Sequence, residues 1–351
     1  MKPKSIRLLK NNKKIAIRCI TLPSKGYGNF NRCLNLAKNL KKFQYEISFV
    51  IDTNKLISTI LKKEKFNFIS IPVDKSFSQK TNFFIDYLKK NPSNFSIIDM
   101  REYGEQTSKA LFKNKLKTIL LDDAWCKKVY SDILFNGTNV VEYHDYKKIN
   151  KNSKIFVGPK YWIIDKNFKI FSKKSNSIKS QKFLSIVISM GGSDPLNLTE
   201  KILKSILNIN QIKILVVMGP FFSYEKRIQK IVKNHQNVLL KKSPKNMWSI
   251  FSNSDIVISN GGNTLFELAC MGIPTLCIPS VKHEIKYTEN FSSKNFSINL
   301  SLRQQNPLKI KNSLIRIIND QKIQKQMCSA GKKIVDGNGL LRVIKIIKEF
   351  T

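Results

Sequence analysis

Short apolar runs alternate with amphipathic segments along the chain. In the first half, the pattern predicts strands at residues 14–20, 46–51, 67–71, 95–100, 117–121 and 132–135. Between them it predicts helices at residues 29–42, 54–63, 81–90 and 105–113. Such alternation is typical of a parallel sheet that is covered by helices on both faces.

The pattern restarts after residues 171–182, which are polar, rich in Ser and Lys, and predicted to be a linker. Strands are predicted at residues 183–188, 212–218, 237–241, 255–258 and 275–278, and helices at 198–207, 224–234, 246–252, 263–271 and 340–350. The sequence therefore predicts two doubly wound α/β domains, residues 1–170 and 183–351, with a ligand cleft between them. The last helix is a candidate to pack back on the N-terminal domain.

Two glycine-rich turns stand out in the second half, Gly191-Gly192 and Gly261-Gly262. Each follows a predicted strand and precedes a predicted helix. Glycine lets the backbone approach a ligand closely, and the free N–H groups and the dipole of a helix N-terminus attract phosphate. Two such turns at one edge of a parallel sheet can hold a diphosphate from both sides, so the sequence predicts a nucleotide-sugar site.

The residues that follow these turns differ in how specifically they indicate binding. Ser193 can donate to a phosphate, but Asp194 can equally cap the following helix. After the second turn, Asn263 and Thr264 begin a largely apolar helix that contains Glu267. A carboxylate one turn into that helix is suited to accept hydrogen bonds from ribose hydroxyls. We therefore expect Glu267 to bind the nucleotide rather than to be a solvated helix residue.

A third glycine-containing loop follows the first predicted strand. Gly26 and Gly28 precede an amphipathic helix, and the order of elements places this loop on the cleft side of the first domain. The G-x-G spacing alone is weak evidence for binding. Asn29 could cap the helix, and Arg32 could pair with a phosphate or lie on the helix surface, so both alternatives stay open.

Three carboxylates lie where first-half strands end. Asp99 closes the strand at 95–100, and Asp122 and Asp123 follow the strand at 117–121. Because the carboxyl ends of parallel strands form the ligand-binding edge of such sheets, these side chains are candidates for the cleft. Loop or capping chemistry explains them equally well.

The composition adds a strong positive charge to this picture. The chain has 351 residues, and its 62 Lys and Arg against 24 Asp and Glu give a formal net charge of +38. Such a charge suggests nucleic acid or an anionic membrane surface as a partner. However, most of the basic residues are lysines spread along the whole chain, whereas nucleic-acid-binding proteins usually concentrate charge in a stripe. We therefore expect anionic substrates, no nucleic acid, and at most peripheral contact with an anionic membrane.

The remaining composition favours a cytoplasmic protein without metal or cofactor. The longest apolar runs fall short of the ~20 residues that a spanning helix needs, and the N-terminus lacks the design of a signal peptide. The six cysteines have irregular spacing without a C-x-x-C, which is typical of reduced thiols. The three histidines are far apart in sequence, so no metal site is predicted.

At this point the motifs match a known family. The segments 26–34, 97–99, 121–124, 132–136 and 158–161, together with the two Gly-Gly turns and residues 272–274, resemble the PseG/SpsG group. This group contains UDP-sugar hydrolases of pseudaminic acid biosynthesis and spore-coat polysaccharide proteins. The resemblance implies a GT-B fold related to MurG-type family 28 glycosyltransferases. It also implies UDP in the second domain and attack by water without an obligatory metal.

Two positions depart from the family pattern. The motif G-x-G-H-x-x-R-C carries the histidine that is the family's candidate base, and Asn29 stands there in this chain. Asparagine cannot accept a proton near neutral pH, so another base such as Asp99 would be needed. At Glu284 the family usually has a Gln that contacts the nucleotide sugar. A carboxylate beside a diphosphate is unfavourable unless it is protonated or turned to a sugar hydroxyl.

The sequence thus predicts catalytic roles for Asn29 and Asp99. The predicted nucleotide-sugar-binding residues are Gly28, Arg32, Gly191, Gly192, Ser193, Asp194, Met247, Gly261, Gly262, Asn263, Thr264, Glu267 and Glu284. The first functional hypothesis is a hydrolase of a UDP-linked acetamido sugar. The second is a glycosyltransferase that moves the sugar to a glycan acceptor of the cell envelope. The third is a non-catalytic nucleotide-sugar binder, and the fourth, nucleic-acid binding, rests on charge alone.

Overall fold

A computed structural model of the chain describes residues 13–22, 27–172 and 183–350. We refer to residues 13–172 as the first half and to residues 183–350 as the second half. Apart from residues 171 and 172, the predicted linker lies outside the described residues, as does Gly26 of the N-terminal loop.

The first half contains a seven-stranded parallel sheet with the order β3-β2-β1-β4-β5-β7-β9. Its strands are β1 (Lys14–Cys19), β2 (Glu46–Asp52), β3 (Asn67–Ile71), β4 (Phe95–Asp99), β5 (Thr118–Asp122), β7 (Ile133–Asn136) and β9 (Lys154–Val157). The short strands β6 (Lys128–Val129) and β8 (Lys147–Lys148) pair with each other. The helices are α1 (Gly28–Lys41), α2 (Lys55–Lys63), α3 (Phe77–Lys90), α4 (Gly104–Lys113) and α5 (Lys166–Ile170).

The second half contains a six-stranded parallel sheet with the order β12-β11-β10-β13-β14-β15. Its strands are β10 (Leu184–Ser189), β11 (Ile212–Met218), β12 (Val238–Lys242), β13 (Ile256–Ser259), β14 (Thr275–Cys277) and β15 (Ser297–Asn299). The helices are α6 (Leu198–Ile206), α7 (Glu225–Val232), α8 (Met247–Ser252), α9 (Asn263–Met271), α10 (Glu284–Ser293), α11 (Pro307–Asn319), α12 (Gln321–Ile334) and α13 (Gly339–Phe350).

Both sheets are buried on both faces, which explains their nearly continuous apolar strands. In β1, Ile15 packs into one core and Ala16 into the core on the opposite face. In β10, Ile186 and Val187 divide in the same way between two cores. Because successive side chains of a strand point to opposite faces, a strand covered on both sides has no polar face.

The last helix returns to the first half. Leu340, Val343, Ile344 and Ile347 of α13 belong to the same buried cluster as β1 and α1. At its start, a Cβ on Gly339 would lie 2.1 Å from the carbonyl oxygen of Trp162, so only glycine permits this approach. The exact division of the chain into domains nevertheless stays a prediction.

The predicted elements differ from the structure mainly at their ends. Helix α3 starts at Phe77, four residues before the predicted start, because Ser76 and Gln79 form a reciprocal capping box. The strands β6, β8, β9 and β15 and the helix α5 were not predicted. No helix in the described part of the chain combines the length and the apolar character needed to cross a bilayer.

Candidate active site

The two glycine turns of the second half lie side by side. They follow β10 and β13, which are neighbours in the sheet and pair Ser189 with Ser259 at their carboxyl ends. Gly191 has φ +81°, and a Cβ there would lie 3.0 Å from Nδ2 of Asn260 in the other turn. The predicted meeting of the two turns at one sheet edge is therefore what the structure shows.

The second turn leads directly into a helix. Gly262 is the N-cap of α9, and no side chain caps the first turn of that helix among the described residues. The backbone N–H groups of Asn263 and Thr264 are thus available to an anion, as expected for a helix N-terminus, whereas that of Leu265 donates to the carbonyl oxygen of Gly262 at 3.0 Å.

The first turn is built differently from the prediction. Helix α6 begins only at Leu198, and the Asp194 carboxylate accepts hydrogen bonds from the N–H groups of Leu198 and Thr199 at 2.9 and 2.8 Å. Asp194 is 1% exposed. Since both of its oxygens cap the helix, the capping alternative describes Asp194 better than ligand binding. An anion at this turn would meet the turn backbone and half-buried Ser193 instead.

Glu267 lies on α9, four residues after Asn263, and its side chain is only partly exposed. Burial raises the pKa of Glu267 to about 8, and the nearby Asp165 carboxylate adds to the rise. Within the described ranges the Glu267 carboxyl group forms no hydrogen bond or ion pair. It is therefore a poorly solvated acceptor that ribose hydroxyls could satisfy.

Glu284 is at the start of α10 beneath the second turn and is 3% exposed. Its Oε1 accepts from Nδ2 of Asn260 at 2.9 Å, and its Oε2 accepts from N and Oγ of Ser280 at 2.7 and 2.9 Å. Burial raises the pKa of Glu284, while these hydrogen bonds oppose the rise. The carboxyl group thus connects the second glycine turn to the loop after β14 by hydrogen bonds. Direct contact of Glu284 with a ligand stays a prediction.

The remaining predicted residues of the second half surround the same edge. Asn263 and Thr264 are the first residues of α9, and Met247 is the first residue of α8; all three are half-buried. Asn263 also reaches the first half, because its Nδ2 donates to the carbonyl oxygen of Gly28 at 3.2 Å. The start of α1 therefore contacts the beginning of α9, directly after the second glycine turn.

In the first half, Asn29 and Arg32 project from the first turn of α1 onto the end of β4. Asn29 Nδ2 donates to Asp99 Oδ1 at 2.6 Å. Arg32 donates from Nε and Nη2 to the two oxygens of Asp99, each at 2.8 Å, and from Nη1 to Asp123 Oδ1 at 2.6 Å. These four side chains form one network, which we call the carboxylate network. It consists of Asn29, Arg32, Asp99 and Asp123.

This network changes the interpretation of three predicted residues. Asn29 does not cap α1, whose N-cap is Tyr27. Arg32 is 6% exposed and engaged with two carboxylates, so it is not free to bind a phosphate in this state. Asp99 is fully buried; burial raises its pKa, and the Arg32 guanidinium opposes the rise. This arrangement favours a positioning role for Asp99 over that of a base.

Sequence reasoning missed several contacts that join the halves. Arg101 Nη2 lies 3.2 Å from Nε2 of His283, and the rings of His283 and Trp125 are 5.7 Å apart. Trp162 stacks on Phe266 of α9 with ring centroids 3.7 Å apart. No periodicity links such distant positions. The only available signal was that Arg101 and Trp125 each follow a carboxylate at a strand end.

Comparisons with known proteins identify relatives of this chain. Residues 185–339 match the glycosyltransferase family 28 C-terminal domain. The spore coat polysaccharide biosynthesis protein SpsG of Bacillus subtilis is 24% identical over 93% of this chain and 95% of its own length. A Helicobacter pylori protein is 23% identical over 93% of this chain. It is named pseudaminic acid cytidylyltransferase and UDP-2,4-diacetamido-2,4,6-trideoxy-beta-L-altropyranose hydrolase, and the match covers 54% of it.

The chain is similar over 93% of its length to these two members of the SpsG/PseG family. Solved structures show which fold it shares with known proteins. MurG of Acinetobacter baumannii superposes with a TM-score of 0.70 at 13% identity, over 96% of this chain and 99% of MurG. UDP-GlcNAc 2-epimerase of Neisseria meningitidis, bound to UDP-GlcNAc, superposes with a TM-score of 0.66 at 12% identity. The superposition covers 96% of this chain and 100% of the epimerase chain. The predicted GT-B fold class is confirmed, because the chain shares its architecture with these solved structures.

Proposed function

We propose that this protein binds a UDP-linked acetamido sugar in the cleft and cleaves the bond between the sugar and UDP by attack of water. One observation carries the proposal. The Asn263 side chain, directly after the second glycine turn, donates to the backbone of Gly28. The two glycine turns, which would hold the diphosphate, therefore face the carboxylate network. A sugar attached to a diphosphate on the turns would extend toward Asn29.

The relatives support this substrate class. The Helicobacter pylori relative is named as a hydrolase of a UDP-diacetamido sugar, and the Neisseria meningitidis epimerase structure holds UDP-GlcNAc. In this chain, UDP would place its diphosphate on the turns at Gly192 and Gly262 and its ribose beside Glu267. The glycines allow close backbone contact, and the helix N-terminus at Gly262 favours the negative charge.

Sugar transfer to a cell-envelope acceptor is the second candidate. Asn29, which replaces the family's histidine, cannot remove a proton from water and argues against efficient hydrolysis, but it could bind the sugar of the same donor. Loss of general-base assistance typically costs 10²–10⁴-fold in rate. The match of the second half to the family 28 domain is equally compatible with transfer.

All six cysteines are free thiols, which supports a reducing compartment. We propose the cytoplasm as the site of action.

The test measures UDP release from UDP-2,4-diacetamido-2,4,6-trideoxy-β-L-altropyranose by the purified protein, with and without a cell-envelope extract. Release of UDP and free sugar without extract supports hydrolysis. UDP release that requires the extract supports transfer instead, provided that a label on the sugar of the substrate is recovered in a glycan. Binding of UDP without release under either condition contradicts cleavage of this sugar and leaves a nucleotide-sugar binder or a different donor sugar.

A further inference from the structure

Asp99 is closed to an incoming nucleophile. It is fully buried, and both of its oxygens accept hydrogen bonds from Arg32, with Asn29 also donating to Oδ1. Cys33 Sγ lies 3.7 Å from Oδ2 on the remaining side. A general base must come within hydrogen-bond distance of the proton it removes, and no face of Asp99 offers that access.

Asp123 belongs to the same network but is partly exposed to solvent. Its side chain is 18% exposed, against 1% for Asp99. Arg32 holds it by Nη1 at 2.6 Å and Nη2 at 3.3 Å. Its backbone carbonyl accepts from Asn136 Nδ2 at 2.7 Å, so both backbone and side chain are fixed.

The charge of the network also singles out Asp123. Two carboxylates share the single guanidinium of Arg32, so the ionised group carries a net negative charge in a largely buried place. Asp99 uses two of the Arg32 nitrogens and the Asn29 amide, whereas Asp123 has only Arg32 as a side-chain partner among the described residues. Asp123, which has fewer hydrogen-bond donors around its negative charge than Asp99, is thus also the carboxylate with solvent access.

Asp123 also faces the nucleotide-binding half. It lies one residue past the end of β5, at the carboxyl edge of the first sheet. Its charge is close enough to Tyr287 of α10 to contribute to raising the pKa of that phenol, although burial is the larger cause. Glu284, which supports the second glycine turn, is one helical turn earlier on the same helix. Asp123 therefore lies between α1 and α10, the helix that supports the second glycine turn.

We infer that Asp123 is the general base that replaces the missing histidine, with Asn29 orienting the nucleophile and Arg32 and Asp99 acting as positioning residues. The inference rests on the proposed function. As the water oxygen bonds to the anomeric carbon, its proton passes to Asp123. The electron pair of the breaking carbon–oxygen bond leaves with UDP, and Asp123 returns its proton to solvent.

The test compares Asp123→Asn with Asp145→Asn, which makes the same charge change at an exposed position. With the diacetamido UDP-sugar as substrate, Asp123→Asn should lower kcat by about 10²–10⁴-fold. UDP affinity and melting temperature should stay at wild-type values. Asp123→Ala should regain part of its activity when formate is added, because a small carboxylate can occupy the vacated space. Asp145→Asn should match wild type throughout.

Wild-type kcat in Asp123→Asn would overturn the inference, as would a loss of kcat accompanied by an equal loss of UDP affinity. Absence of formate rescue in a folded Asp123→Ala variant would also count against a proton-accepting role. These outcomes differ from failure of the proposed function, in which the wild-type protein itself binds no UDP or cleaves no UDP-sugar.

Discussion

The side-chain amide of Asn29 donates to the buried carboxylate of Asp99 across 2.6 Å. A carboxylate only accepts, so this contact assigns the amide nitrogen to Asp99 and leaves Oδ1 of Asn29 as an acceptor. An imidazole at this position could donate one N–H to Asp99 in the same way. Its second nitrogen would then accept a proton, which the Asn29 oxygen cannot do near neutral pH.

The variant Asn29→His should therefore increase the rate of UDP release from the diacetamido UDP-sugar. Asp99 would orient the imidazole. Because Asp123 already acts as a base in the wild-type chain, we expect the gain to stay below the 10²–10⁴-fold that general-base assistance typically contributes. Steady-state kinetics between pH 6 and 8 should show the gain as the imidazole loses its proton. Asn31→His provides the control, since Asn31 is exposed on the same helix. An unchanged rate in a folded Asn29→His variant would show that an imidazole at this position does not act as a base.

UDP affinity should rise with pH through Glu267. The pKa of Glu267 is raised to about 8 in the ligand-free protein, so the group is largely protonated at pH 7. Ribose hydroxyls donate better to the ionised form, and binding should release a proton and tighten between pH 7 and 9. Calorimetry in buffers of different ionisation enthalpy measures the released proton. Glu267→Gln should abolish this dependence, and a persistent dependence would exclude Glu267 as its source.

Arg32→Ala should destabilise the fold strongly. It leaves Asp99 fully buried without its main partner, and breaking a buried ion pair in this way costs about 3–5 kcal/mol. Urea unfolding followed by tryptophan fluorescence measures the loss. Arg303→Ala, at an exposed position, should change stability by less than about 0.5 kcal/mol. Equal stability of the two variants would contradict the structural role of the carboxylate network.

The two glycine turns should respond differently to an added methyl group. A Cβ on Gly192 would lie 3.6 Å from Tyr27, which is ordinary contact, whereas one on Gly261 would lie 2.6 Å from Thr288 Cγ2 and 2.7 Å from Glu284 Cβ. Gly192→Ala should keep the wild-type melting temperature but weaken UDP binding about tenfold or more, about 1.4 kcal/mol. Gly261→Ala should lower both the melting temperature and the affinity for UDP. Wild-type UDP affinity in Gly192→Ala would show that the ligand does not approach this turn.

Much of the fold could be predicted because strands covered on both faces are largely apolar, as in β10 and β11. Helix α9 was predicted with its observed limits, since Gly262 and Gly272 mark its ends. Helix α3 was predicted too short because its first turn is polar and is fixed by a capping box rather than by burial.

The site was only partly predictable. The meeting of the glycine turns follows from local pattern and from the rule that parallel strands share a carboxyl edge. The roles of Asp99, Arg32 and Asp194 could not be predicted in this way. They depend on which groups each side chain meets in the folded chain, and the local sequence does not show these hydrogen-bond partners. Asp99 and Asp123 look alike in sequence as carboxylates at strand ends, and only burial distinguishes them.

The most direct test of the account is a crystal structure of the protein with UDP. The account predicts diphosphate oxygens within hydrogen-bond distance of the backbone N–H groups at Gly192 and Gly262, and ribose hydroxyls on the Glu267 carboxylate. UDP bound outside this edge, or with its ribose away from Glu267, would contradict it.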